Sequence, residues 1–159
     1  MTDIASERLV GATRWEQDLF THLTEHVRDE REALEAYVAA ADATDSNALA
    51  YVVKLLIEDE RRHHTLFQEM AESLKHDAEF RPGDPAIPRL DFNRVDGAAV
   101  RELTDQLIAR EKADVRELKK LQKSVRDVKE RTLWPLLIDL MQRDTKKHLA
   151  MLRFVQKQM

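Results

Sequence analysis

At 159 residues, 43% hydrophobic and 35% charged, the chain has the size of one domain and the balance of long amphipathic helices. Only 3 Gly and 4 Pro leave too few turns for a β-sandwich, and the lack of Cys excludes disulfides, thiolate zinc sites and thiol catalysis. A net charge of −4 gives no general attraction to nucleic acid or anionic membranes. No segment supplies the roughly 20 apolar residues that span a bilayer, and the N-terminus does not look like a signal peptide. The expectation is one cytoplasmic domain over residues 1–159, with no nucleic-acid or membrane partner.

In chain order, residues 1–12 are expected to be a flexible arm or a short leading helix. A first helix is predicted over residues 13–41. Its apolar seam, Trp15, Leu19, Leu23, Val27, Glu30, Leu34, Tyr37 and Ala41, advances in steps of 3 and 4, as one face of an α-helix requires. The turn 42–46 offers N-caps for a second helix over 47–75, with seam Leu49, Val52, Leu56, Glu60, His63, Phe67, Met70 and Leu74. So short a turn makes the pair an antiparallel hairpin. Pro82, Gly83, Pro85 and Pro88 forbid a continuous helix through residues 76–96, a stretch long enough to run the length of a bundle as a crossover. A third helix begins near residue 96, with seam Val100, Leu103, Leu107, Glu111, Leu118, Leu121, Val125 and Val128, and Asp114 on or beside it. A fourth begins near residue 132, where Pro135 is tolerable in the first turn, with seam Leu133, Leu137, Leu140, Asp144, His148, Met151 and Val155.

Each seam therefore carries an acid where the pattern calls for an apolar residue: Glu30, Glu60, Glu111 and Asp144. Uncompensated carboxylates in a bundle core are costly, so a positive partner is expected among them. Each acid lies near the middle of its helix, and the midpoints of antiparallel neighbours lie side by side. The chain also repeats itself: residues 56–64 align with 140–148, placing Glu60 on Asp144 and His64 on His148. Hard and borderline divalent metals take carboxylate and imidazole together. One acid from each of two helices plus acid-x-x-His from two others is the ligand set of carboxylate-bridged dinuclear sites in four-helix bundles. The segment Glu60-Arg61-Arg62-His63 fits that motif directly.

With four long helices, a long second connection, and Glu, Glu-x-x-His, Glu in order over residues 13–157, the chain resembles the ferritin-like superfamily, in particular its bacterioferritin and rubrerythrin branches. The resemblance implies an all-α, ferritin-like four-helix bundle, two antiparallel helical hairpins joined by a long crossover, around a di-iron or Mn/Fe centre. By that analogy Glu60 and Asp144 bridge two metals, Glu30 and His63 complete one coordination sphere, and Glu111 and a fourth-helix histidine complete the other. Tyr37, seven residues after Glu30, looks like the family's tyrosine beside the metals, with a catalytic role. The implied chemistry is a ferroxidase or peroxidase reaction with O2 or peroxide, served by an electron-donor protein, in a homo-oligomer that is a dimer or larger.

The pattern departs from the family in the fourth helix. Lys147 stands three residues after Asp144, and the bridging Glu is shortened to Asp. His148, four residues on, shares the same face, and by symmetry His64 then takes the place of His63. Alternatively the Lys147 ammonium replaces the second metal, leaving a mononuclear or metal-free site. Two further readings stay open: a structural or partner-binding bundle with a degenerate site, and an iron-storage subunit. His22 and His26, four residues apart, read as an exposed pair rather than a separate metal site. The Lys- and Arg-rich stretch 110–131, interrupted by acids, reads as a salt-bridged solvated face.

Overall fold

The computed structural model describes residues 7–126 and 132–159. Among the described residues the protein is all-helical, with no strand. It has four long helices, α1 (Arg14–Asp42), α2 (Asn47–Ala78), α3 (Gly97–Arg126) and α4 (Trp134–Gln158), and a 3-10 turn at Phe92–Arg94. No described helix is long and apolar enough to cross a membrane. Helix α1 packs on α2, and α3 on α4, so the chain divides between Arg89 and Leu90 into two compact helical hairpins. Val128, expected on the third seam, lies outside the described residues.

Local chemistry sets the helix ends. Thr13 opens α1 in a capping box: its N–H and its hydroxyl donate to Glu16 Oε2 at 2.7 and 2.6 Å. Ser46 caps α2 by accepting the Leu49 N–H at 3.2 Å, and Asp96 caps α3 by accepting the N–H groups of Ala98 and Ala99 at 3.1 and 3.2 Å. Pro135 sits in the first turn of α4, where its missing N–H costs no helical bond. Helix α2 runs to Ala78, so the irregular connection starts three residues later than expected. It is tied back by the Ile87 N–H donating to Ser73 Oγ at 2.8 Å and by the Arg89–Asp77 ion pair.

The segment 7–12 is not the flexible arm expected from the sequence. Leu9 is fully inserted among Phe20, Leu23, Ala71 and Ala78. Its N–H donates to Gln17 Oε1 at 2.7 Å, while Gln17 Nε2 donates to the Glu7 carbonyl at 3.2 Å and Lys75 pairs with Glu7. One buried leucine and a glutamine that bonds the backbone at both Glu7 and Leu9 are enough to dock it. Residues 1–6 of that expected arm lie outside the described residues.

One or more buried residues in each helix stand one position after the expected seam, while Leu23, Ala41 and Leu118 are buried on it as expected. Phe20 is buried rather than Leu19, Val53 and Ala71 rather than Val52 and Met70, Thr104 and Ile108 rather than Leu103 and Leu107. In α4 the buried set is Ile138, Thr145 and Leu149, not Leu137, Asp144 and His148. The apolar stripe of each helix is broad, and within its own hairpin the partner helix covers one flank of it. Leu103, Leu107, Leu121 and Met151 are about half-exposed.

Candidate metal centre

Helix α1 contributes His26 and Glu30, and α2 contributes Glu60 and His64. Each pair is spaced i, i+4, so both members project from one face of their helix. Across the hairpin, His64 Nε2 meets Glu30 Oε2 at 3.2 Å. One ligand atom each from Glu30, Glu60 and His64 lies within 4.8 Å of the other two, and among the described residues this is the one group of three that does so. All three side chains are partly buried: Glu60 is 18% exposed and His64 19%.

Two features of the cluster point to a cation. Glu60 Oε2 is shielded from solvent and has no hydrogen-bond partner; its contact with a basic group is the 3.5 Å ion pair with His63 Nδ1 of its own helix. A shielded carboxylate oxygen without a hydrogen bond favours a cation beside it. Glu30 is electrostatically prepared as well. Partial burial pushes its carboxyl up, but the hydrogen bond with His64, the charge of His26, the hydrogen bond shared with Glu60 and the charge of His64 together outweigh burial. The net effect holds it below the ordinary carboxylate value. Two carboxylates and one imidazole form a donor set suited to Fe(II), Mn(II) or Zn(II).

The structure distributes the other expected site residues differently. His63 is 47% exposed and contacts Glu60 along its own helix, so His64, not His63, is the histidine that reaches across to α1. Tyr37 is half-exposed, two helical turns beyond Glu30. In the second hairpin, His148 Nδ1 meets Glu111 Oε1 at 3.2 Å, the same separation as the Glu30–His64 pair. Asp144 is 56% exposed, and its Oδ1 accepts from Lys147 Nζ at 2.6 Å. Glu111, Asp114, Glu117, Asp144 and His148 line an open groove of about 460 Å³.

Exposure also shifts the internal repeat by one residue. Asp59 matches Asp144 at 58% and 56%, and His63 matches His148 at 47% each. In this register Glu60 and His64 correspond to the buried Thr145 and Leu149, in place of the Asp144 and His148 expected from the sequence. By exposure the acid and histidine of α2 thus have a hydroxyl and a leucine as counterparts in α4, although by contact His148, which meets Glu111 of the facing helix, stands where His64 does. Among the described residues no third ligand atom joins the Glu111–His148 pair within 4.8 Å.

His26 was passed over as a surface histidine. Its spacing of four residues before Glu30 was the available signal, and Nε2 stands 3.0 Å from Glu30 Oε1. Compared with protein-family models, curated proteins and solved structures, the chain matches none, so the reading of this centre stands on its own geometry.

Proposed function

We propose that the α1–α2 hairpin is a metal-binding unit in which Glu30, Glu60 and His64 hold one divalent transition-metal ion for redox chemistry of the ferroxidase or peroxidase type, with O2 or peroxide as oxidant. Two observations carry this reading: a Glu60 carboxylate oxygen lies within 4.8 Å of ligand atoms from Glu30 and His64, and Glu60 Oε2 is shielded and has no hydrogen-bond partner. Leaving a buried acceptor unsatisfied costs about 1–3 kcal/mol, and more when it is charged, so a cation that satisfies it stabilises the fold.

A bound Fe(II) or Mn(II) would supply one electron to the oxidant, and an electron-donor protein would supply the others that reduction of peroxide or O2 to water requires. The protein's part is to hold and tune. Glu30 and Glu60 bring two negative charges that favour the higher oxidation state, and His64 offers a neutral nitrogen from the facing helix. Three protein ligands are fewer than such ions take, which leaves room for oxidant. The hydrogen bond from His64 and the contact from His26 keep the Glu30 carboxylate oriented between the helices.

A second reading adds a second ion, with Glu111, Asp144 and His148 as ligands in a ferritin-like chain. It is favoured by the Glu111–His148 pair, which repeats the Glu30–His64 separation. Metal analysis after anaerobic Fe(II) loading and dialysis separates the readings: one ion per chain for the first, two for the second. Glu60→Gln should weaken binding by about tenfold or more, on the scale of altered metal shells. Its apo form should melt at the same temperature or higher, because the change relieves repulsion with Glu30. Zero metal, with a melting temperature unmoved by Fe(II) or Mn(II), would leave a structural or partner-binding helical protein and overturn the proposal.

A further inference from the structure

His22 and His26 precede Glu30 by eight and four residues on the same face of α1, outside the cluster. Among the described residues the set of mutually close ligand atoms stops at Glu30, Glu60 and His64. We propose that His22 and His26 form an entry site that captures a divalent transition-metal ion from solvent and passes it by way of Glu30 into the cluster. This inference rests on the reading of the cluster given above.

Burial is graded along the row. His22 is exposed, His26 and Glu30 are each 33% exposed, and Glu60 and His64 are 18% and 19% exposed. An ion arriving along this face of α1 therefore meets the histidines before the carboxylates.

The steps between neighbouring donors are short. The His22 and His26 rings stack with centroids 5.9 Å apart, and histidines at i, i+4 on one helix face are a chelating pair. His26 Nε2 stands 3.0 Å from Glu30 Oε1, and His64 Nε2 stands 3.2 Å from Glu30 Oε2. The carboxylate thus turns one oxygen to the entry pair and the other to the cluster. With metal–ligand bonds of about 2.0–2.2 Å, two donors at the His26–Glu30 separation can touch one ion at once, so Glu30 takes hold before His26 lets go. Phe67 of α2 meets the His26 ring edge-on, with centroids 4.9 Å apart and planes at 70°, which keeps that ring beside the facing helix.

Direction and selectivity follow from donor chemistry. Two neutral imidazoles attract a dication less than two carboxylates with an imidazole do, so the ion is held loosely at entry and firmly inside. Imidazole also favours Fe(II), Co(II) and Zn(II) over Mg(II), so the pair filters what is passed on.

A relay lowers the barrier between two end states without changing either, so uptake and release change by the same factor. Stopped-flow uptake of Zn(II) by the full chain, followed with a fluorescent Zn(II) indicator, and release into excess chelator test this, with the affinity measured by calorimetry. His22→Ala should slow uptake and release alike by about tenfold, a barrier change of about 1.4 kcal/mol, and leave the affinity as in wild type. His26→Ala should slow uptake at least as much. His63→Ala, which removes a half-exposed histidine beside Glu60 but off the row, should load at the wild-type rate. Wild-type rates in His22→Ala, or a slowing in His63→Ala alone, overturn the entry site and leave the three-ligand centre standing. A lower affinity in His22→Ala with an unchanged uptake rate means that His22 holds the bound ion instead of feeding it, which overturns the entry site too. If wild type takes up no Zn(II), the three-ligand centre fails and the inference fails with it.

Discussion

Single residues at the end of α2 set how the first hairpin closes. Gly11 has φ +88°, and a Cβ built on it would stand 2.8 Å from the Ala78 carbonyl oxygen. Gly11→Ala is therefore opposed twice, by its backbone angle and by contact, and should cost more than about 1 kcal/mol in denaturant unfolding. Leu9→Ala removes the apolar anchor of the same segment and should cost about 2–5 kcal/mol. Phe80 shows the reverse case. It follows the C-cap of α2 with φ +50°, in the region that favours glycine, while its side chain is 90% exposed. A left-handed non-glycine residue costs roughly 1–2 kcal/mol, so Phe80→Gly should raise stability by up to about that amount. A loss of stability there would mean that the exposed ring has packing of its own.

At the scale of elements, the α1 cap carries a pH signature. Hydrogen bonds from the Thr13 hydroxyl and N–H hold the Glu16 carboxyl below its ordinary 4.5. A carboxyl depressed on folding stabilises above its unfolded pKa, and that contribution is lost as pH falls through the folded value. The difference in melting temperature between wild type and Glu16→Gln should be present at neutral pH and vanish in acid, as thermal melts at both would show. Helix number, the two hairpins and an N-cap for α2 within the turn 42–46 were legible in the sequence, because steps of 3 and 4 and cap residues are local signals. The docking of residues 7–12 was not, since it depends on a tertiary pocket between Phe20 and Ala78. Much of the seam was read one residue early, although Leu23, Ala41 and Leu118 are buried on it, because a stripe of this width does not reveal which flank its first partner covers. That single step decides the chemistry of α4: it turns Asp144 outward to Lys147 and puts Thr145 and Leu149 inside. The meeting of Glu30 and Glu60 at one level of the first hairpin was legible, whereas the approach of His64 rather than His63 to Glu30 needed the facing helix.

Across the whole molecule, the two hairpins are unequal versions of one plan. Both join an acid to a histidine across the pair at 3.2 Å, but only the first adds a third ligand atom among the described residues. The Lys147–Asp144 pair is exposed enough that Lys147→Ala should change stability by less than about 1 kcal/mol. It should also leave the metal content at one ion per chain, because α4 offers no inward acid beside His148. A rise to two ions would instead favour the ferritin-like two-ion reading. The most direct test of the centre is a crystal grown with Fe(II) under anaerobic conditions and measured at the iron edge. The account predicts an anomalous peak among Glu30, Glu60 and His64; a peak at Glu111 and His148 alone, or none at all, would contradict it.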